Sequence, residues 1–128
     1  MKKIYPALSI VAPMGQYIAQ GKKTLEIRSW RPTHLPLKDL LIVENQHYLT
    51  QEGDEELGYA VAVAVAVAVA MVDVEAIHPW KEDELEVAKA SYWDEGYWAW
   101  VLSNVRPMLV QTPAMAKRKI YFIEIDHA

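Results

Sequence analysis

The sequence predicts a small mixed α+β domain in which strands dominate, arranged as a barrel with about two helices at its edges. Three observations predict this class. The chain has 128 residues, of which 52% are hydrophobic and 23% charged, as in one globular domain spanning residues 1–128. Apolar and polar residues alternate with a period of two in about six segments, as in strands. Only two segments have the spacing and end signals of helices.

The N-terminal part predicts a helix between two extended segments. Residues 4–12 are apolar and end at Pro13, which suits the first turn of a helix. Apolar residues then recur at helical spacing over residues 13–20, and Gly21 stands where a left-handed C-cap is expected. Residues 24–28 alternate between apolar and polar side chains. They predict a strand with one face in water.

The next segment predicts a loop, a strand and a second loop. Residues 31–36 contain two prolines and are expected to form a loop. Residues 37–45 predict a strand, and the polar, acidic residues 46–56 predict a surface loop.

An unusual repeat follows, in which alanine and valine alternate strictly over residues 60–70. Valine at every second position favours one long strand over about residues 58–77, and helix is the minor alternative because a period of two leaves no helical face. Such a strand would be roughly 65 Å long, whereas a domain of this size is under about 40 Å across. The strand must therefore bend, form a bulge, or project and pair with another chain. The last case predicts a homo-oligomer through the Ala/Val strand.

The parity of the repeat has a further consequence. If the alternation is unbroken, Asp73 and Glu75 share the face of the valines up to Val69, while Val72 shares the face of the alanines. Because the unit is two residues, inserting or deleting whole units leaves every flanking side chain on its own face. We interpret the repeat as the expansion of a shorter strand that carries no chemistry.

The C-terminal half predicts one helix and three strands. Residues 82–91 predict a helix with three acidic residues in its first turn, where the helix dipole favours them. Residues 97–103, 106–111 and 118–126 predict strands.

Composition excludes several kinds of site. The chain has no cysteine, which excludes disulfides, zinc bound by cysteine and a thiol nucleophile. Its four histidines show no metal-ligand spacing, so we expect neither a metal nor another cofactor. The net charge of −4 argues against a large non-specific phosphate footprint but leaves room for a local basic patch. The longest uncharged stretch is shorter than the roughly 20 residues that a membrane helix needs, so we expect a cytoplasmic protein with no membrane partner.

The strongest functional signal is a decapeptide that directly follows the predicted helix. It combines two lysines, a carboxylate, an arginine and an indole: Gly21, Lys22, Lys23, Thr24, Leu25, Glu26, Ile27, Arg28, Ser29 and Trp30. Lysine and backbone N–H groups beside a glycine can bind an anion. A glutamate can act as general base or accept hydrogen bonds from an amino group. A tryptophan beside them can stack on a planar ligand.

Each of these residues also has a purely structural interpretation. Lys22 and Lys23 can be a solvated pair on a turn, Glu26 and Arg28 an ion pair on one strand face, and Trp30 a packing residue at the barrel rim. A nearby arginine disfavours the charged form of a lysine and leaves an amine able to attack a carbonyl, whereas a nearby glutamate keeps it protonated. The sequence leaves both outcomes open.

The same residues closely resemble the opening motif of ASCH domains, a family grouped with the PUA-like β-barrels. The likeness begins with Ala7-Leu8-Ser9-Ile10, includes the decapeptide, and continues through Val72-Asp73-Val74, His78-Pro79-Trp80, residues 98–107 and the closing Ile123-Glu124-Ile125. It covers most of the chain. The Ala/Val repeat departs from the family, which has an ordinary short strand there.

The resemblance implies a PUA-like barrel whose cleft faces RNA, a nucleotide or a nucleoside. One branch resembles an amidohydrolase that removes the acetyl group from N4-acetylcytidine, and there Lys23 would be the nucleophile. That branch has a threonine where this chain has Glu26, and a glutamate on the later helix for which Asp94 and Glu95 are the only loose matches. Another branch is proposed to cleave RNA.

We therefore expect an RNA- or nucleotide-binding domain. Lys22, Lys23 and Arg28 would contact phosphate or base acceptors, Glu26 would accept from an amino group, and Trp30 would stack, with Thr24 and Ser29 completing the site. The alternative is a metal-independent hydrolase, either an N4-acetylcytidine amidohydrolase or a ribonuclease, with Lys23 and Glu26 as catalytic residues. A third alternative is a protein in which the decapeptide serves folding alone and whose role is to associate with other chains through the long Ala/Val strand.

Overall fold

The computed structural model describes residues 2–46, 55–56 and 67–126. The strands in chain order are β1 Lys2–Val11, β2 Leu25–Arg28, β3 Leu37–Asn45, β4 Glu55–Glu56, β5 Val67–Pro79, β6 Trp98–Pro113, β7 Ala116–Lys117 and β8 Ile120–Asp126. Helix α1 is Met14–Ala19, and helix α2, Leu85–Ala88, directly follows the 3₁₀ turn Glu82–Glu84.

Six strands form one sheet in the order β2-β6-β5-β3-β1-β8, and β4 pairs with β7. The neighbours in the large sheet are antiparallel except β1 and β3, which run parallel. Across the described ranges no ladder joins β2 to β8, so hydrogen bonds do not close the sheet into the predicted barrel. The β-dominated α+β class is confirmed.

The sheet carries a core cluster on each face. One cluster contains Trp100, with Leu8, Ile42, Val72 and others, and Ile18 of α1 covers it. The other contains mainly smaller residues and two tyrosines: Tyr5, Ala7, Leu41, Val43, Ala68, Ala114, Ala116, Tyr121 and Ile125. A third cluster packs α2 against β2 and β6 through Leu25, Trp80, Ala88 and Ala99. These contacts fix the positions of β2 and α2 relative to one another.

The end of α1 determines where the charged decapeptide goes. Gly21 has a φ of +76°, as the predicted left-handed C-cap requires. The N–H of Gly21 donates to the carbonyl of Ile18 (3.0 Å), and the N–H of Lys22 donates to that of Tyr17 (2.8 Å). This pair of bonds is the Schellman motif, which ends the helix and turns the chain into β2.

The part of the Ala/Val repeat that the structure describes contains a bulge. On β3, Ile42 pairs with Ala70 and Val43 with Ala68, so Val69 is an extra residue on β5. Val69 therefore packs in the same cluster as Val72. The prediction that Asp73 shares the face of Val69 is wrong because the bulge reverses the parity there. Residues 58–66 of the predicted strand lie outside the described residues. The predicted pairing of the repeat with a second chain stays a prediction.

Two further predictions differ from the structure. The predicted strands 97–103 and 106–111 are one strand, β6, because pairing with β5 continues past a left-handed residue at Asn104 (φ 49°). The helix predicted over 82–91 is shorter, since Lys89 adopts a left-handed conformation (φ 55°) directly after Ala88 and ends α2.

No helix among the described residues is long and apolar enough to cross a membrane.

Candidate functional site

A cleft of about 590 Å³ lies between strands β1 and β2 of the large sheet and the end of α2. Its lining comes from β1, β2, the segment that follows α2, and the turn between β7 and β8. Pockets that bind small ligands have volumes of about 300–1,000 Å³, so this cleft has room for a nucleotide-sized molecule.

Lys23 lies at the floor of the cleft and is almost completely buried, with 4% of its surface exposed. Its Nζ donates to the carbonyl oxygen of Ala88 (2.5 Å), one of the last carbonyls of α2, and lies 3.6 Å from Oε1 of Glu26. Burial is the largest influence on the Lys23 amine, and the pKa of Lys23 lies below its ordinary value although Glu26 acts to raise it.

Glu26 is buried beside Lys23 and connects it to Arg28. Its Oε2 accepts from Nη2 of Arg28 (3.2 Å), and Oε1 accepts from the N–H of Ile27 (3.0 Å). Burial acts to raise the pKa of the Glu26 carboxyl. The charges of Arg28 and Lys23 and these hydrogen bonds outweigh burial, so the net pKa of Glu26 lies below its ordinary value. Glu26 is therefore a carboxylate at neutral pH.

Arg28 completes this chain of charges and remains partly accessible. Its Nη2 also donates to the carbonyl of Ser9 (2.8 Å), which fixes the guanidinium against β1. The Arg28 side chain is 24% exposed, compared with 7% for the side chain of Glu26. The face of β2 that the alternation predicts to lie in water is therefore the cleft floor, with Glu26 nearly withdrawn from solvent.

Trp30 forms part of the cleft wall and is half-buried. Its ring meets that of Trp100 edge to face at 5.0 Å, and its carbonyl accepts from Nε1 of Trp100 (3.3 Å). The ammonium of Lys119 lies 5.8 Å from the centre of the Trp30 ring. Trp30 therefore packs on the core and also lines the cleft, and its stacking on a planar ligand stays a prediction.

The structure brings together some residues of the decapeptide and leaves others outside. Lys23, Glu26, Arg28, Ser29 and Trp30 line the cleft. Lys22 and Thr24 are exposed and are absent from its lining. The backbone of Thr24 has a structural role instead, because its N–H donates to Val87 (2.8 Å) and its carbonyl accepts from Leu102 (3.0 Å).

Other lining residues have no part in the predicted site. Two tyrosines face the cleft from the segment after α2: Tyr92 is 73% exposed and Tyr97 38%. Asp94 lines the cleft nearby, whereas Glu95 does not. On the opposite side, Oγ of Ser9 lies 2.6 Å from the hydroxyl of Tyr121, whose pKa is raised by burial. Tyr92 and Tyr97 form what we call the aromatic wall of the cleft. The tyrosines and tryptophans in residues 92–100 are a sequence signal for an aromatic surface, but the sequence does not show that two of them line the same cleft as the decapeptide.

The described lining of the cleft is strongly basic although the whole chain is acidic. Six basic side chains line it against the carboxylates of Glu26 and Asp94: Lys23, Arg28, Lys89, Lys117, Arg118 and Lys119. The chain as a whole carries a net charge of −4. The cleft is thus a local positive region, which attracts anionic ligands.

No group of three or more histidine, aspartate or glutamate side chains in the described ranges is arranged to hold a metal ion. At the floor of the cleft, the groups that a ligand can meet are the Lys23 amine, the Glu26 carboxylate and the Arg28 guanidinium. Together they can donate to and accept from one planar polar edge. The lowered pKa of Lys23 also increases the fraction of neutral amine, which is the nucleophilic form.

Comparison with known families identifies the domain. A family model described as the ASCH domain matches residues 8–111, which is most of the chain. The chain belongs to the ASCH domain family. The matched range contains the decapeptide and the aromatic wall, and it ends before Lys117 of β7 and the turn formed by Arg118 and Lys119.

A solved structure shows the same fold. The crystal structure of a mutant form of the ZmASCH protein from Zymomonas mobilis aligns with a TM-score of 0.53 and 19% sequence identity, covering 86% of this chain and 72% of that protein. At this identity the likeness concerns the ASCH fold alone. A comparison with curated proteins finds no match.

Proposed function

We propose that this ASCH domain binds RNA or a nucleotide, modified or not, in the basic cleft. The observation that carries the proposal is the buried chain Lys23–Glu26–Arg28 at the floor of a concave, positively charged pocket. Burying charged groups costs free energy, and clusters of them in a cleft are often found at functional sites. Here all three side chains line the same cleft.

Each floor residue has a role that fits a nucleobase. The Glu26 carboxylate accepts from an exocyclic amino group, and the donors of Arg28 bind a carbonyl or ring nitrogen next to it. Trp30 stacks on the base or packs against its edge, and Ser29 adds a hydroxyl at the wall. Cytosine carries an amino group and a carbonyl on one edge, whereas uracil has no amino group.

This arrangement predicts discrimination between bases. Cytidine 5′-monophosphate should bind about tenfold more tightly than uridine 5′-monophosphate, because uridine leaves the Glu26 carboxylate facing a carbonyl. Titration of each nucleotide at low salt, followed by tryptophan fluorescence, measures this because Trp30 and Trp80 line the cleft. If neither nucleotide nor a short single-stranded RNA changes the fluorescence or releases heat on mixing, nucleotide binding is excluded.

The second candidate is an enzyme that acts on a nucleoside amide or on RNA. The observation in its favour is the buried Lys23 amine with a lowered pKa, next to a carboxylate that can carry a proton. The test follows the ultraviolet spectrum of N4-acetylcytidine incubated with the protein, and gel analysis of a labelled RNA tests cleavage. Turnover that persists unchanged in Lys23→Ala would eliminate the lysine as nucleophile.

A further inference from the structure

The turn between β7 and β8 places two cations at the mouth of the cleft. Arg118 and Lys119 form this turn, and both line the pocket. Lys119 is exposed and Arg118 half-buried. In the described part of the chain neither forms an ion pair with a carboxylate, whereas Lys89 is paired with Glu86 (2.6 Å).

The cleft floor is a poor place for a phosphate. The cations there, Lys23 and Arg28, already share the carboxylate of Glu26, which lies within 3.6 Å of both. Glu26 is ionised at neutral pH, so a phosphate at the floor would meet a buried negative charge. A phosphate needs cations that no carboxylate neutralises, and among the residues that the structure describes Arg118 and Lys119 have no carboxylate partner.

The backbone of Lys119 gives an independent reason to assign this residue a role. Its φ is +58°, a left-handed conformation in which glycine is relaxed and a residue with a Cβ is strained. The chain nevertheless has lysine there. Strain at a residue that lines a pocket is often retained for what the side chain does.

The position of Lys119 relative to Trp30 fits one nucleotide. The Lys119 ammonium is 5.8 Å from the centre of the Trp30 ring. A base that contacts Trp30 therefore lies beside Lys119, whose flexible side chain can turn toward the phosphate of the same nucleotide. The base end and the phosphate end of one nucleotide thus fall on different parts of the same cleft.

We propose that Arg118 and Lys119 form a phosphate subsite, so that the cleft selects phosphorylated nucleotides over neutral nucleosides. This inference rests on the proposed nucleotide binding and specifies its substrate class. Arg118 binds two phosphate oxygens through its guanidinium, and Lys119 moves from Trp30 to the phosphate when the base occupies the wall. The phosphate is that of a mononucleotide or one within an RNA chain.

The test compares three ligands by calorimetry at low and at physiological salt: cytidine, cytidine 5′-monophosphate and a four-nucleotide RNA. We expect the monophosphate to bind at least about tenfold more tightly than cytidine, and this difference to shrink as salt increases. An RNA affinity well above that of the monophosphate identifies an RNA phosphate as the source. An RNA affinity equal to that of the monophosphate identifies the mononucleotide as the source.

The decisive variant is Lys119→Gly, which removes the charge and relieves the left-handed backbone. It should lower the affinity for the monophosphate about tenfold, leave that for cytidine unchanged, and not lower the melting temperature. Lys119→Gln and Arg118→Gln should show the same selective loss without the change in backbone. Lys2→Ala is the matched control, because Lys2 is exposed on β1 and absent from the cleft lining.

The failure of this inference differs from the failure of the proposed function. If cytidine and its monophosphate bind equally well, or if Lys119→Gly weakens both to the same extent, the phosphate subsite is wrong and nucleotide binding survives. If Lys2→Ala weakens the monophosphate as much as Lys119→Gly does, the effect is one of net charge and the subsite is also wrong. If none of the three ligands binds, the proposed function itself is wrong.

Discussion

Lys23 and Glu26 face each other across 3.6 Å at the floor of the cleft, and both are almost completely buried. A charged pair in this position gains from mutual attraction and loses from desolvation. For the pKa of the lysine, desolvation is the larger influence. For the pKa of the glutamate, burial is the largest single influence, but the charges of Arg28 and Lys23 and the hydrogen bonds together outweigh it. Both pKa values are therefore lowered, and two predictions follow from these directions.

The first prediction concerns the protonation of Lys23. Its amine should lose its proton at a lower pH than an ordinary lysine, whose pKa is 10.5, whereas Lys38 should titrate above that value because it donates to Glu75. At pH values between the lowered pKa and 10.5, Lys23 is neutral in the folded protein but still protonated in the unfolded chain. Because the unfolded chain then binds more protons, the free energy of unfolding rises with pH over this range. NMR titration of the lysine side-chain signals, with Lys23→Arg for assignment, measures both residues. Titration of Lys23 at or above 10.5 would contradict the prediction.

The second prediction concerns removal of the Glu26 carboxylate. Glu26→Ala should lower the free energy of unfolding by about 3 kcal/mol at neutral pH, because it leaves two cations close together in a buried site. The loss should shrink as pH falls below 4.5, since a carboxyl with a lowered folded pKa stabilises above its unfolded pKa and loses that effect on protonation. Chemical denaturation at several pH values measures it. The control is Glu86→Ala, whose carboxylate is exposed in its pair with Lys89 and whose loss should leave stability unchanged.

The charged decapeptide shows how far sequence alone reaches. Charges of both signs beside a glycine and a tryptophan mark Lys23, Glu26 and Arg28 as candidates, and all three line the cleft. The sequence does not show that Lys22 points away while Lys23 points inward, because the two residues lie in a turn where strand alternation does not apply. The direction is fixed by the Schellman motif at Gly21, whose hydrogen bonds exist only once the helix is folded.

The placement of the basic turn and of the aromatic wall beside the decapeptide does not follow from the sequence, for a different reason. Lys119 and Tyr92 are far from the decapeptide along the chain, and only the sheet order brings β2 and the β7–β8 turn to one cleft. The length of the repeat predicts a bend or a bulge as one outcome, but the position of the bulge at Val69 does not follow from the sequence. Alanine and valine suit both faces of a covered sheet, and the repeat contains no polar residue to mark the change of parity.

The third prediction tests that bulge. Val69 is 2% exposed and packs in the cluster of Trp100, so Val69→Ala should lower the free energy of unfolding by about 2 kcal/mol through lost burial and a small cavity. Val87→Ala is the matched control, since Val87 is 41% exposed and should tolerate the change. Thermal and chemical denaturation of the two variants give the comparison. Equal stabilities would mean that Val69 does not point into the core.

The last prediction concerns the aromatic wall. Tyr92 lines the cleft but is 73% exposed, so its ring contributes little to the core and is available to a base. Tyr92→Ala should weaken binding of cytidine 5′-monophosphate about tenfold, because stacking of a base on an aromatic side chain contributes about 1–3 kcal/mol. The melting temperature should not change. Phe122→Ala is the matched control, since Phe122 is 70% exposed on β8 and lies outside the cleft lining. Calorimetric titration of both variants decides the matter: if Tyr92→Ala binds as the unaltered protein does, the base stacks on Trp30 alone or does not enter this side of the cleft.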